Sequence, residues 1–158
     1  MTEWEDVPSA LSAEELRKVH STRAQSAYDR AVTTCRHAGF DRDAAEIVPR
    51  SPVGRAAGAL HLSADSIAAL TERTADPAAD ARCARNAAAA AALAAQVAQS
   101  RDDSGEALTA LRAALAASRA AAVAAGGTAA GRDVSLNRAA DDAEAHAVAT
   151  AREAGWTR

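Results

Sequence analysis

Aromatic and β-branched side chains are scarce in this sequence: 158 residues hold one Phe, one Tyr, two Trp and two Ile. Those residue types furnish most strands, so their scarcity excludes a β architecture. Long apolar runs of large side chains are missing too, and the acidic opening MTEWEDVP lacks the basic, apolar form of a secretory signal. Neither a membrane span nor export is expected, and the expected location is the cytoplasm. Cysteine occurs twice, and Cys35 and Cys83 fit no CxxC or zinc-finger spacing. They are expected as free thiols in a reducing compartment. Excess positive charge is absent as well: the net charge is −3, and Lys18 is the only lysine beside seventeen Arg. That balance argues against a nucleic-acid partner, because phosphate contacts by cations dominate such affinity.

What is abundant is alanine, about three residues in ten. Alanine has the best intrinsic helix propensity, so the fold expected is all-α. A core of Ala with scattered Leu and Val buries little area per residue, and its helices must approach closely to exclude enough water. Stability then leans on close backbone packing or on a partner.

Capping signals divide the chain into helices. Ser12 with Glu15 makes a capping box for the first helix, Leu11 can staple its start, and Gly39 stops it. Leu16, Val19, Ala27, Ala31 and Val32 share one face of that helix. A short helical turn is expected in DRDAAEIV, followed by a break across PRSP. A second helix is expected from about Val53 to Thr74, with Gly54 and Gly58 as points of close helix contact. Asp76 and Pro77 start a third, reaching about Ser100. Asp103 with Glu106 reads as another capping box opening the fourth helix, which carries Leu108, Leu111 and Leu115 and ends at Gly126 and Gly127. A fifth runs from near Ser135 to just before Gly155. The whole reads as a single domain, an antiparallel up-and-down bundle of four to five helices, with residues 1–10 as a flexible N-terminus. SPVGRAAG and VSLNRAAD show a weak self-similarity, each after a helix that ends in Gly.

Few residues carry obvious chemistry. His20, Cys35, His37, His61, Cys83 and His146 are the metal-ligand types, but the Glu-x-x-His pairs of di-iron bundles are absent and no metal site is expected. Asp142 and His146 lie four apart on one helical face and could share a proton, which makes them the acid/base candidates; the plain alternative is an exposed i,i+4 pair. His37 suits a helix C-terminus as a cation. Ala57, Leu62, Ser63, Ile67 and Leu70 match the apolar spacing of a helix-turn-helix with His61 at the turn, yet the stretch that would be its recognition helix, DSIAALTER, has a single Arg to meet phosphates. No Walker A loop, Gly-x-Ser-x-Gly elbow or Rossmann fingerprint occurs.

The stretch from about Asp76 to Ala151 resembles the C-terminal helical domain of the acyl-CoA dehydrogenase superfamily, including its flavin-dependent monooxygenase branch. The residues that carry the resemblance are Gly126, Gly127 and Gly131 in a loop, Leu136 and Arg138 in SLNR, and Asp142 with Ala143 in ADDA. The resemblance implies a four-helix bundle whose Gly-Gly loop reaches the flavin of a neighbouring subunit, with Gly126, Gly127 and Arg138 as cofactor-facing residues. It departs from the pattern in three respects. Ala140 or Asp141 replaces the Arg normally before the Asp, the position of one branch's catalytic Glu falls near Thr150, and the domains that hold most of the flavin and substrate are absent from this chain. FAD or FMN would therefore have to come with a partner. The expected protein is a stand-alone or split subunit of such a flavoenzyme, assembling with itself or with a larger partner. Two alternatives are a non-catalytic helical interaction protein and a small bundle enzyme built on His146 and Asp142.

Overall fold

The computed structural model describes residues 10–158, and both the acidic opening and all but the last residue of the expected flexible segment 1–10 lie outside that range. Five α-helices form: α1 Ala13–His37, α2 Pro52–Leu70, α3 Pro77–Ser100, α4 Gly105–Ala125 and α5 Val134–Glu153. A 3-10 turn at Arg42–Ala44 precedes α2, and no strand occurs among the described residues.

Two of the three expected caps form. The Ser12 hydroxyl accepts from the Glu15 amide at 3.1 Å while the Glu15 carboxylate accepts from the Ser12 amide at 3.2 Å, a complete capping box. Asp76 caps α3 with Pro77 at the first position. Helix α4 starts differently from the expectation: Asp102 accepts from the Ser104 amide, and Ser104, rather than Asp103, caps the helix through the Ala107 amide. That local turn sets the Ser104 hydroxyl at the first free amides and leaves Asp103 exposed. Asp133 caps α5 through the Leu136 amide, so α5 begins at Val134. Ser51 caps α2 with Pro52 at its first position, and α2 stops at Leu70, one turn short of the expected Thr74.

Helices α1 and α5 end alike. In α1 the Gly39 amide donates to the Arg36 carbonyl and the Phe40 amide to the Cys35 carbonyl, with Gly39 at φ +91°. In α5 the Gly155 amide donates to Arg152 and the Trp156 amide to Ala151, with Gly155 at φ +78°. Each is a Schellman end with an aromatic residue folded back on the last turn. RHAGF and REAGW are the two sequences, alike in Arg, Ala and Gly and in ending on an aromatic residue.

Helix α3 is central and packs against α1, α2 and α4, while α4 also packs against α5. Contacts at both ends of α1 set directions: Arg17 meets Asp80 near the start of α3, and Arg101 donates to the Ala38 carbonyl at its end, so α1 and α3 run parallel. Helices α1, α3, α4 and α5 thus close a four-helix ring, and α2 covers the α1–α3 side. The packed faces are almost wholly alanine. Ala27 and Ala31 of α1 are fully buried, as are Ala84, Ala87 and Ala94 of α3. Small side chains let the axes draw together, so the core is won by close approach and number of contacts rather than by large residues.

The structure decides three points about α2 and α4. Residues 52–70 form one uninterrupted helix with His61 exposed in its middle, so the helix-turn-helix reading fails for want of a turn. Gly54 faces the Glu46 side chain rather than another helix, and Gly58 has open space around it. Helix α4 is long and apolar enough by length and composition to cross a bilayer, contrary to the reading of the sequence, because Ala and Leu dominate it. Here it lies against α3 and α5.

Candidate functional site

The seam between α1 and α5 is built differently from the other helix contacts. The two helices touch far less than their neighbours do, and what crosses the gap is polar. His20 Nε2 donates to the Gly131 carbonyl at 2.9 Å, and that carbonyl also accepts from Asn137 Nδ2 at 3.0 Å. Because a carbonyl can only accept, Nε2 carries the proton, and Nδ1 is free to accept from Arg23 Nη2 at 3.2 Å. His20 is therefore neutral. Burial lowers its pKa below the ordinary histidine value, the Arg23 cation adds to the effect, and the Gly131 bond with Asp80 and Asp141 works against it.

Arg23 then reaches Asp141 at 2.8 Å. Two turns further along α1 and one along α5, Arg30 grips Glu144 with two bonds, Nη2 to Oε1 at 2.7 Å and Nε to Oε2 at 3.1 Å, and the Ser26 hydroxyl adds a third at 3.0 Å. The partners advance together along both helices, so α1 and α5 are parallel. Cations of α1 face carboxylates of α5 at two successive levels. These long side chains hold the helices apart, which is why alanine packing does not close this side of the ring.

A second buried ionic knot fixes the start of α3. Asp80, fully buried, accepts from Arg17 Nε at 3.3 Å and Nη2 at 3.4 Å, and from the Asp76 amide at 3.2 Å, with Arg73 Nη2 3.8 Å away. The loop between α4 and α5 docks beside it. At Gly131 (φ +77°) a Cβ would collide with the Pro77 carbonyl and the Ala81 methyl. Gly131 thus allows the loop backbone to press onto α3 while presenting its carbonyl to His20.

Beyond the Glu144 level, where α1 and α5 end, the seam opens into a groove of about 910 Å³. Arg36 and His37 come from the last turn of α1, Arg152 and Trp156 from the end of α5. Arg152 Nε donates to the Arg158 backbone oxygen at 3.2 Å. Among the described residues, no hydrogen bond or ion pair engages the side chains of Arg36 or His37. Trp156 is buried with no acceptor for its indole Nε1.

The residues singled out from the sequence lie elsewhere. Asp142 and His146 are exposed on the outer face of α5, and no side-chain bond joins them to each other or to another described residue. Gly126 and Gly127 are exposed at the end of α4, and Arg138 is exposed on the first turns of α5. Gly131, the third loop glycine, is spent on packing. His61 pairs with Asp65 at 3.8 Å on the exposed side of α2. Cys35 and Cys83 are buried in different parts of the core, and no three His, Cys, Asp or Glu side chains converge on a metal position among the described residues. No family model, curated protein or solved structure matches the chain.

The sequence reading missed the seam altogether. Its signal is the spacing Arg23, Arg30, His37, seven residues apart on the face of α1 that also carries His20 and Ser26, with Asn137, Asp141 and Glu144 in the same rhythm on α5. Polar residues at core-facing helical positions mark a helix pair joined through ions.

Proposed function

We propose that this chain is a non-catalytic helical assembly subunit that meets its partner at the end formed by the α4–α5 loop. The observation that carries the reading is how the chemistry-bearing groups are used. Among the described residues, His20, Arg23, Arg30, Asp80 and Glu144, the buried ionisable side chains other than the two thiols, all tie a helix to another helix or, for His20, to the α4–α5 loop. Arg23, Arg30 and Glu144 border grooves, but their polar atoms are taken up by these pairs. At the loop end, by contrast, two apolar side chains flank the turn in the open, Val123 at 53% and Val134 at 45% exposure. The partner is a second copy of this chain or a larger subunit. The net charge of −3 speaks against nucleic acid in that role.

A finer reading takes that partner to be the remainder of a flavoenzyme of the acyl-CoA dehydrogenase type, bringing FAD or FMN to the loop. The exposure of Gly126 and Gly127 beside Val123, with Arg138 on the following helix, favours it. On this reading the chain supplies a surface and the partner supplies the redox chemistry.

Sedimentation velocity tests the assembly. The native chain should sediment as an oligomer or co-purify with the product of a neighbouring gene, and a Val123→Asp/Val134→Asp variant should be monomeric with an unchanged helical spectrum. A native chain that stays monomeric at high micromolar concentration and recruits no product of the flanking genes would remove the proposal. A colourless complex would remove only the flavoenzyme reading.

A further inference from the structure

We propose that the groove between the C-terminal ends of α1 and α5 binds a small, multiply charged anion, a phosphate ester or a polycarboxylate, between Arg36 and Arg152. The argument begins with the ladder along the seam. At two successive levels a cation of α1 is answered by a carboxylate of α5: Arg23 by Asp141 and Arg30 by Glu144. The next level reverses the pattern. Helix α1 continues with Arg36 and His37, but α5 presents Val148 and then Arg152, so cations stand on both walls. Glu144, one level back, is fully engaged by Arg30 and Ser26, and Asp29, which lines the groove from the exposed side of α1, accepts from Gln25.

A cation in the last turn of a helix is ordinarily explained by the negative end of the helix dipole, a stabilisation of about 0.3–1 kcal/mol. That accounts for an Arg at each end taken singly. It does not account for two parallel helices bringing Arg36 and Arg152, both at the same position of an R-x-A-G-aromatic end, to the two sides of one groove. Like charges so arranged repel, and the acceptors the chain itself places at the groove are the Asp29 carboxylate and the Arg158 backbone oxygen that takes Arg152 Nε, which leaves Arg36 unanswered. Guanidinium groups have a fork of donors that fits phosphate or carboxylate oxygens two at a time. His37, whose side chain has no hydrogen bond or ion pair among the described residues, lines the same groove. A volume of about 910 Å³ suits a small molecule rather than a single inorganic ion.

The site is at the opposite end of α5 from the loop, so it stands or falls independently of the assembly proposed above. Three probes test it by isothermal titration at constant ionic strength: inorganic phosphate, glycerol 3-phosphate and citrate. The native chain should bind at least one of them saturably, with quenching or a shift of Trp156 fluorescence. Glycerol 3-phosphate binding tighter than citrate identifies a phosphate ester as the ligand class, and the reverse order a polycarboxylate. Arg36→Gln with Arg152→Gln should weaken that binding at least tenfold, while Arg112→Gln, exposed on α4, should leave it unchanged. Arg152→Glu should abolish it, because the new carboxylate takes the anion's place beside Arg36. Both substituted side chains are exposed, and the melting midpoint without probe verifies that each variant is folded. No saturable binding of any probe, or equal affinity in the Arg36/Arg152 variant, overturns the proposal.

Discussion

His20 shows how much of this molecule rests on a single protonation state. Its Nε2–H holds the Gly131 carbonyl and its Nδ1 lone pair takes Arg23, so a second proton would turn the acceptor into a donor facing a guanidinium. Burial, aided by Arg23, lowers its folded pKa, while the unfolded chain titrates near about 6.5. Between those two values the unfolded chain binds the extra proton and the folded chain does not. The contribution of His20 to stability is therefore complete above about pH 6.5 and is lost as pH falls from there toward the folded pKa. His37, His61 and His146 are exposed and do not share this environment. Urea midpoints should thus hold level from pH 8 to 7 and decline below about 6.5, ahead of the ordinary carboxylate range near about 4. In His20→Gln, whose amide can still donate to Gly131, that early decline should vanish. If the variant declines as steeply as the native chain, His20 is not the group responsible.

At the scale of elements, helix positions were legible because they depend on local chemistry: Ser12 and Asp76 were read as caps and sit where free amides need acceptors, whereas Ser51 and Asp133 do the same work and were not read. The α4 cap was misread by one residue because Asp102, not visible as a cap signal, takes the Ser104 amide first. The candidate site was less legible. Asp142 and His146 stood out as a spaced pair, yet i,i+4 spacing places two residues on one face without saying which way that face turns, and here it turns outward. Arg30 and Glu144 are 114 positions apart, and no local rule joins them. Their pairing sets a prediction about how α5 is held. Glu144→Ala strands the Arg30 cation, which is 4% exposed, and should cost about 3–5 kcal/mol. Arg30→Met with Glu144→Leu removes both charges at similar volume and should recover most of that loss, since well-packed apolar residues often equal a buried ion pair. Chemical denaturation of the two variants decides it: a double variant no more stable than Glu144→Ala would mean that the pair is needed for more than its own neutralisation.

At the scale of the whole molecule, the question is whether an alanine core with one polar seam unfolds as a unit. Cys35 and Cys83 report on it from opposite ends, the first near the end of α1 and the second near the start of α3. Both thiols are buried. Burial pushes Cys35 up to about 12 with a smaller push from Asp41, and pushes Cys83 up against a partial offset from Arg73. The thiolate is the reacting form, so neither should be alkylated from the native state at pH 8. Labelling then proceeds only through opening, and its rate relative to the unfolded chain measures the free energy of that opening. Helix α3 runs beside α1 along its length, with Arg17–Asp80 tying one end and Arg101–Ala38 the other. Opening either end therefore strips contacts from the same central helix, and the two thiols should give the same opening free energy, equal to that from urea unfolding. Mass spectrometry of iodoacetamide-treated protein, peptide by peptide, makes the comparison. If Cys35 labels more than tenfold faster than Cys83 after correction for unfolded rates, the groove end frays on its own, and the two ends of the bundle are separate cooperative units.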